Sequence, residues 1–205
     1  GTTGYDFLAV INGQCVFSFN DPATTEIYTR LTGEPTAFAP SVFTAKRAVL
    51  DTTFSAEIIT LGQALRRLAE TDRRSRDFTL YALTTAIKDT LAAFPVYRTY
   101  LAPGGSREPN DEAHVEHAIA LAKRKNRGID PSVLDYLRDV LLLRIRSPAA
   151  MHIAMRFQQL SGPVMAKGVE DTAFYRYHRL AALTDVGCDP ARFGTSTDEL
   201  HAPNT

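Results

Sequence analysis

The densest concentration of groups able to handle a polar ligand lies between Gln158 and His178, where Lys167, Glu170, Asp171, Tyr175 and Arg176 crowd together with Phe174 and Tyr177. Carboxylate, ammonium and guanidinium groups offer directional acceptors and donors to sugar hydroxyls, and an aromatic ring packs on the apolar face of a pyranose. A regular helix continuing past Gly168 would put Asp171 and Tyr175 on one face and Glu170, Phe174 and Tyr177 on the next. The same charges could instead form surface ion pairs, which contribute little to stability. Glycoside hydrolysis needs two carboxyls about 5 to 9 Å apart across a cleft. Glu170 and Asp171 cannot supply that pair between them, because adjacent helical residues point roughly 100° apart.

Other chemistries find weaker footing. Glu112, His114, Glu116 and His117 have helical spacing that could gather ligands on one face, but no His-Glu-x-x-His arrangement accompanies them. Solvated helix surface is the better reading, and no metal is expected. The arginines at 66, 67, 73, 74 and 76 are interrupted by Glu70, Asp72 and Asp77, and neither they nor Lys123, Arg124, Lys125 and Arg127 are interleaved with aromatics. These runs read as charged outer faces. No glycine pattern that cradles phosphate occurs, and no histidine stands near Cys188 to activate a thiolate.

The elements that must position the polar cluster are mostly helical. Ile58, Leu61, Leu65 and Leu68 recur at steps of three and four, as do Leu80, Leu83, Ile87 and Leu91; Val115, Ala118, Ile119 and Ala122; and Val133, Leu134, Leu137, Val140 and Leu141. Met151, Ala154, Met155 and Phe157 repeat the pattern more loosely, so at least five amphipathic helices are expected. Asp21-Pro22 and Asp130-Pro131 each place a capping side chain before a first-turn proline, and Asp111-Glu112 suits the positive end of a helix dipole. The run Ala102-Pro103-Gly104-Gly105-Ser106 is a loop signal. Phe94-Pro95-Val96-Tyr97-Arg98-Thr99-Tyr100 reads as a strand, with Val96, Arg98 and Tyr100 on one face and Tyr97 and Thr99 on the other.

The whole chain has 205 residues, 44% of them hydrophobic, with 23 Lys plus Arg against 23 Asp plus Glu. That is ample for a folded core, and the neutral balance with only short apolar runs points away from nucleic acid and membrane as partners. Cys15 and Cys188 stand far apart with no signal peptide, which is read as a reducing, cytoplasmic setting. The ends, Gly1-Thr2-Thr3-Gly4 without an initiator Met and Pro203-Asn204-Thr205, are read as those of an excised piece.

Four strings taken in order resemble the maltooligosyl trehalose synthases of the alpha-amylase superfamily. They are Gly1-Thr2-Thr3-Gly4-Tyr5-Asp6-Phe7, the Phe94 to Tyr100 run, Arg156-Phe157-Gln158-Gln159, and Ala166-Lys167-Gly168-Val169-Glu170-Asp171-Thr172-Ala173-Phe174-Tyr175-Arg176-Tyr177. The resemblance implies a mainly α fold, a helical insertion domain with minor extended segments that belong to a parent (β/α)8 barrel. It implies a barrel-edge segment at 1–20, the helical insertion at 21–160 and a return segment at 161–205. It implies an isomerase that converts the reducing-end α-1,4 linkage of a maltooligosaccharide to α,α-1,1 by intramolecular transglucosylation, for trehalose synthesis and without a cofactor. Its partners would be the maltooligosaccharide and the remainder of the barrel.

By the same resemblance the nucleophile, the acid/base and the third acid lie outside these residues. The residues present would wall a closed pocket for the released glucose: Tyr97, Arg98, Lys167, Glu170, Asp171, Tyr175 and Arg176, with Tyr5 and Asp6 near the barrel edge. Glu170 and Arg176 could instead pair to hold the loop. A non-catalytic helical carbohydrate-binding or interaction module is the competing class. The chain departs from the family pattern at Thr184-Asp185-Val186-Gly187-Cys188-Asp189-Pro190, where Asn-Glu-Val-Gly-Gly-Asp-Pro is expected. A left-handed backbone at Cys188 would be strained there.

Overall fold

A computed structural model of the chain describes residues 9–11, 14–16, 30, 33, 38–102, 104, 109–177, 184–188 and 190. Two compact units emerge: Gly1–Ser41 with Glu170–Thr205, and Val42–Val169. The described residues are mainly helical.

In the first unit, β1 (Ala9–Ile11) and β2 (Gln14–Val16) pair antiparallel with Ile11 opposite Gln14. The Asn12-Gly13 dipeptide between them in sequence is the usual two-residue hairpin signal. Phe38 forms a small aromatic cluster with Phe174 and Tyr177, ring centroids 5.7 and 5.0 Å away. Tyr5, Asp6 and the Asp21-Pro22 cap lie outside the described residues.

The second unit is a helical bundle. Its helices are α1 (Phe38–Asp51, which begins in the first unit), α2 (Ser55–Ala69), α3 (Leu80–Ala93), α4 (Pro109–Lys125), α5 (Pro131–Leu141) and α6 (Pro148–Met165). Helix α3 packs against α2, α4, α5 and α6, while α2 also meets α6, and α5 meets α4 and α6. That central place explains its composition. Leu83, Ala86, Ile87, Thr90 and Leu91 are all buried, and Thr90 satisfies its hydroxyl on the Ala86 carbonyl at 2.8 Å instead of reaching solvent.

The expected stripes of α2, α4 and α5 are buried throughout. On α3 only Leu80, at the first turn, stays half-exposed. The loose α6 stripe needs correction, since Met151 is exposed and the buried face is Ala150, Ile153, Ala154, Phe157, Leu160 and Val164. Caps fall at polar side chains: Thr79 accepts from Ala82 N at 3.1 Å, Asp130 from Ser132 N at 2.9 Å and Ser147 from Ala150 N at 3.1 Å. Pro131 and Pro148 follow the last two of these caps in the first helical turn.

Helix α6 does not end cleanly. Pro163 lies inside it, lacking an N–H for the ladder, and the chain continues as a π-helix over Ala166–Ala173 and then a short α7, Phe174–Arg176. The wider π turn bonds i to i+5, so the expected faces based on i and i+4 do not apply to Glu170 and Asp171.

Candidate functional site

Between α3 and α4 the Phe94 to Tyr100 run carries no strand. Phe94 N–H still closes on Leu91 O at 3.2 Å, Pro95 ends the helix, and the backbone then runs irregularly to Leu101. Thr99 is 1% exposed and Tyr97 49%, so the two do not share a face as alternation predicts. With no neighbouring strand to pair with, the segment takes its hydrogen bonds from side chains of the helices around it.

Those bonds are specific. Lys46 Nζ donates to Phe94 O at 2.8 Å, Ser161 Oγ to Tyr97 O at 2.7 Å and Gln158 Nε2 to Leu101 O at 3.0 Å, while Asp111 Oδ2 accepts from Tyr100 N at 2.7 Å. The Phe94 ring meets Phe157 edge-on, 5.5 Å between centroids, and both side chains are buried. The Arg156 to Gln159 string on α6 therefore supplies Phe157 and Gln158 as an anchor for the Phe94 to Tyr100 string. Thr99 Oγ1 and Gln158 Oε1 are buried without a hydrogen-bond partner.

What this scaffold presents outward is an aromatic and cationic edge. Tyr97 is half exposed, Tyr100 is 70% exposed, and the Arg98 guanidinium lies over the Tyr100 ring, 5.2 Å from its centroid. Two rings and a guanidinium on a segment held at both ends can stack on a pyranose and donate to its hydroxyls. Tyr100 is a contact candidate absent from the residues expected from the sequence.

Lys167, the third expected site residue of this unit, is exposed in the first turn of the π-helix. Its neighbour Gly168 is buried against α1: a Cβ there would lie 2.6 Å from Lys46 Cγ and 2.9 Å from Lys46 Cα. Lys46 itself is 2% exposed, and burial alone pulls its ammonium down to about 8. It lies outside every helical stripe and motif marked in the sequence.

The remaining expected site residues belong to the other unit. Glu170 is half-buried, whereas Asp171, Tyr175 and Arg176 are exposed, Tyr175 at 76%. The local loop Thr184 to Cys188 corrects the expected strain. Gly187 takes the left-handed backbone, φ 88°, and Leu143 is the one non-glycine residue with positive φ among the described residues, so Cys188 does not carry the turn. Cys188 is disulfide-bonded, against the expectation of reduced thiols; separation along a chain sets no limit on separation in space.

Two further features complete the second unit. A cavity of about 300 Å³ opens between α2 and α6, lined by Phe54, Glu57 and Thr60 on one side and His152, Arg156 and Gln159 on the other. Deeper in the bundle, Asp89 accepts from Arg47 Nη1 and from Asn126 Nδ2, each at 2.8 Å. Burial raises the Asp89 carboxyl more than these partners lower it. Two cations of the charged runs are ion-paired on the helix surface, Arg66 with Glu70 at 3.1 Å and Lys123 with Asp135 at 2.7 Å. Glu116 pairs with Arg144 at 3.0 Å, and no group of three or more metal-ligating side chains gathers among the described residues. Nor is any helix among them long and apolar enough to cross a membrane.

Comparison with known proteins gives one consistent result. No family model matches the chain. A Mycobacterium tuberculosis protein bearing the maltooligosyl trehalose synthase name is 54% identical over 48 residues, which is 23% of this chain and 6% of that protein. The structure of maltooligosyltrehalose synthase from Arthrobacter ramosus superposes over 89% of this chain with a TM-score of 0.69 and 34% identity. A variant of the Arthrobacter enzyme gives 0.70 and 33% over the same share. The chain spans 22% of the Arthrobacter enzyme's length. In sequence and in fold, then, the chain resembles a segment of maltooligosyl trehalose synthase.

Proposed function

We propose that the chain is the helical segment of a maltooligosyl trehalose synthase, and that its Phe94 to Tyr100 edge and Lys167 help wall the pocket in which the reducing-end glucose is turned over. The 34% identity maintained over 89% of the chain, at a TM-score of 0.69, carries this reading. It is supported by the bonding pattern, in which the Arg156 to Gln159 string anchors the Phe94 to Tyr100 string through Phe157 and Gln158.

The chemistry assigned to the whole protein is an intramolecular transglucosylation that moves an α-1,4 linkage to α,α-1,1. Retaining glycosyl transfer passes through a covalent glycosyl intermediate on a carboxylate, with a second carboxyl acting as acid and then as base. In this reading those carboxyls come from outside these residues. The task left to this chain is retention. Isomerisation instead of hydrolysis requires the freed glucose to stay bound, reorient and present its anomeric hydroxyl before water arrives.

Tyr97 and Tyr100 offer stacking faces for such a sugar, and Arg98 and Lys167 offer donors to its hydroxyls. Glu170, Asp171, Tyr175 and Arg176 are proposed as sugar contacts of the other unit, with Tyr5 and Asp6 as weaker candidates. A place in trehalose synthesis follows from the same reading.

The test is maltoheptaose conversion by the full-length protein, scored for loss of reducing ends and for free glucose. Reducing-end loss with little glucose supports the reading. Glucose release without isomerisation would replace it with a hydrolase, and saturable binding without turnover would replace it with a carbohydrate-binding module.

A further inference from the structure

Lys46 is the most anomalous side chain of the helical bundle. Its ammonium has three donors to satisfy, it is 2% exposed, and the hydrogen bond it makes is to Phe94 O at 2.8 Å. A buried cation costs stability unless something repays its lost hydration. Here the acceptor is the carbonyl at the C-cap of α3, where unpaired carbonyls and the helix dipole both favour a positive charge.

The same side chain has a second contact. Gly168 is seated so closely on the Lys46 stem that no larger residue fits, the Cγ, Cα and Cβ of Lys46 all lying within 3.3 Å of where a Cβ would be. Phe94 opens the segment that carries Tyr97, Arg98 and Tyr100, and Gly168 directly follows Lys167. One lysine thus touches the start of one sugar-facing segment with its head and the backbone of the other with its stem.

We propose that Lys46 is a positioning residue for the sugar pocket, fixing the direction in which the chain leaves α3 toward Tyr97 and Arg98 and seating the first turn of the π-helix that presents Lys167. The proposal rests on the pocket reading above. It assigns Lys46 no contact with sugar. A purely structural lysine would alter stability alone, whereas a positioning lysine alters how well the pocket retains glucose.

The experiment compares the full-length protein with Lys46→Met, which keeps the stem and removes the charge, and with Lys46→Arg. Hydrogen–deuterium exchange is read on the peptides covering 94–101 and 166–173, and maltoheptaose conversion is scored for isomerised product against free glucose. For Lys46→Met we expect exchange to rise about ten-fold in those two segments, with the remaining helices unchanged. We also expect the share of hydrolysis to rise about ten-fold, and Lys46→Arg to restore part of it. Unchanged exchange in both segments, or an unchanged product ratio in a protein that isomerises maltoheptaose, would overturn the proposal. If the parent protein does not turn over maltoheptaose at all, the pocket reading fails, and the exchange data still decide whether Lys46 holds the two segments. Should Lys46→Met not fold, Lys46→Arg must show the exchange rise in those two segments only; no rise, or a rise throughout, overturns the proposal.

Discussion

Gly168 leaves no room for a side chain above Lys46: a methyl group at its Cα would stand 2.6 Å from Lys46 Cγ and 2.9 Å from Lys46 Cα. The side-chain carbon could swing away, but the backbone atom belongs to α1 and cannot. Gly168→Ala must therefore push α1 and the π-helix apart, at a cost of about 2 kcal/mol, although alanine is the better helix former. Urea denaturation of the two proteins gives the sign directly. Equal or higher stability for the alanine variant would show that the two backbones are not in contact.

Lys46 also makes stability depend on pH. Burial lowers its pKa from 10.5 to about 8, so between those values the unfolded chain holds a proton that the folded chain has lost. Where the unfolded state binds more protons, stability rises with pH. Below pH 8 both states are protonated, and the buried charge costs about 3 kcal/mol relative to an exposed amine. Lys46→Met abolishes this dependence. The stability of the parent relative to Lys46→Met is therefore expected to improve by about 3 kcal/mol between pH 7 and pH 10.5, measured by denaturant titration at several pH values. A constant difference would mean that the ammonium keeps its hydration.

Asp89 follows the opposite sign. Its carboxyl is raised by burial in spite of Asn126 and Arg47, so the folded chain takes up a proton more readily than the unfolded one. Its contribution to stability is greatest below the unfolded pKa and is lost as pH rises through the folded one, so the 4% exposed Asp89 depends more on its ion pair with Arg47 as pH rises. Removing the cation alone, Arg47→Met, should cost about 3 kcal/mol. Asp89→Asn keeps a side-chain oxygen for Asn126 and should change stability by less than about 1 kcal/mol. The double variant is expected to recover most of the Arg47→Met loss, a coupling that a double-mutant cycle reads out.

These positions mark where sequence reasoning stops. The stripes through Leu61, Leu65, Val115, Ile119, Leu134 and Leu137 were legible because burial on one side of a helix repeats every three or four residues, and the Asp130-Pro131 start was legible because capping is local chemistry. Phe94 to Tyr100 misled because β-branched and aromatic residues report a half-buried surface and not the presence of a pairing strand. Its actual partners, Lys46, Asp111, Gln158 and Ser161, come from three different helices, and no local pattern points to them.

The π-helix was hidden for a related reason. The faces expected for a regular helix past Gly168 rest on a 3.6-residue period, while Pro163 removes a donor from the ladder just upstream. Of the candidate site, the strings and their residue types are readable in the sequence, and the structure adds the exposure of Tyr97 and Lys167 and the Arg98 contact with the Tyr100 ring. Lys46 and Tyr100 are not, since Lys46 lies outside every periodic stripe in the sequence and nothing local separates Tyr100 from the other aromatic residues of its run.

The end of α5 offers a test of backbone strain separate from any sugar. Leu143 has φ 55°, its N–H bonds Val140 O at 3.1 Å, and the following Arg144 N–H bonds Asp139 O at 2.9 Å. That is the paired pattern of a Schellman ending, in which the left-handed position is usually glycine. A leucine there carries roughly 1 to 2 kcal/mol of steric strain. It also packs its half-buried side chain against the core. Leu143→Ala loses the packing and retains the strain, whereas Leu143→Gly loses the packing and relieves the strain. The glycine variant should therefore be the more stable of the two by about 1 kcal/mol, reversing the order found at ordinary positions in this bundle. Thermal or urea unfolding of the pair decides it, and an alanine variant at least as stable as the glycine variant would show that the turn does not hold Leu143 in the left-handed region in solution.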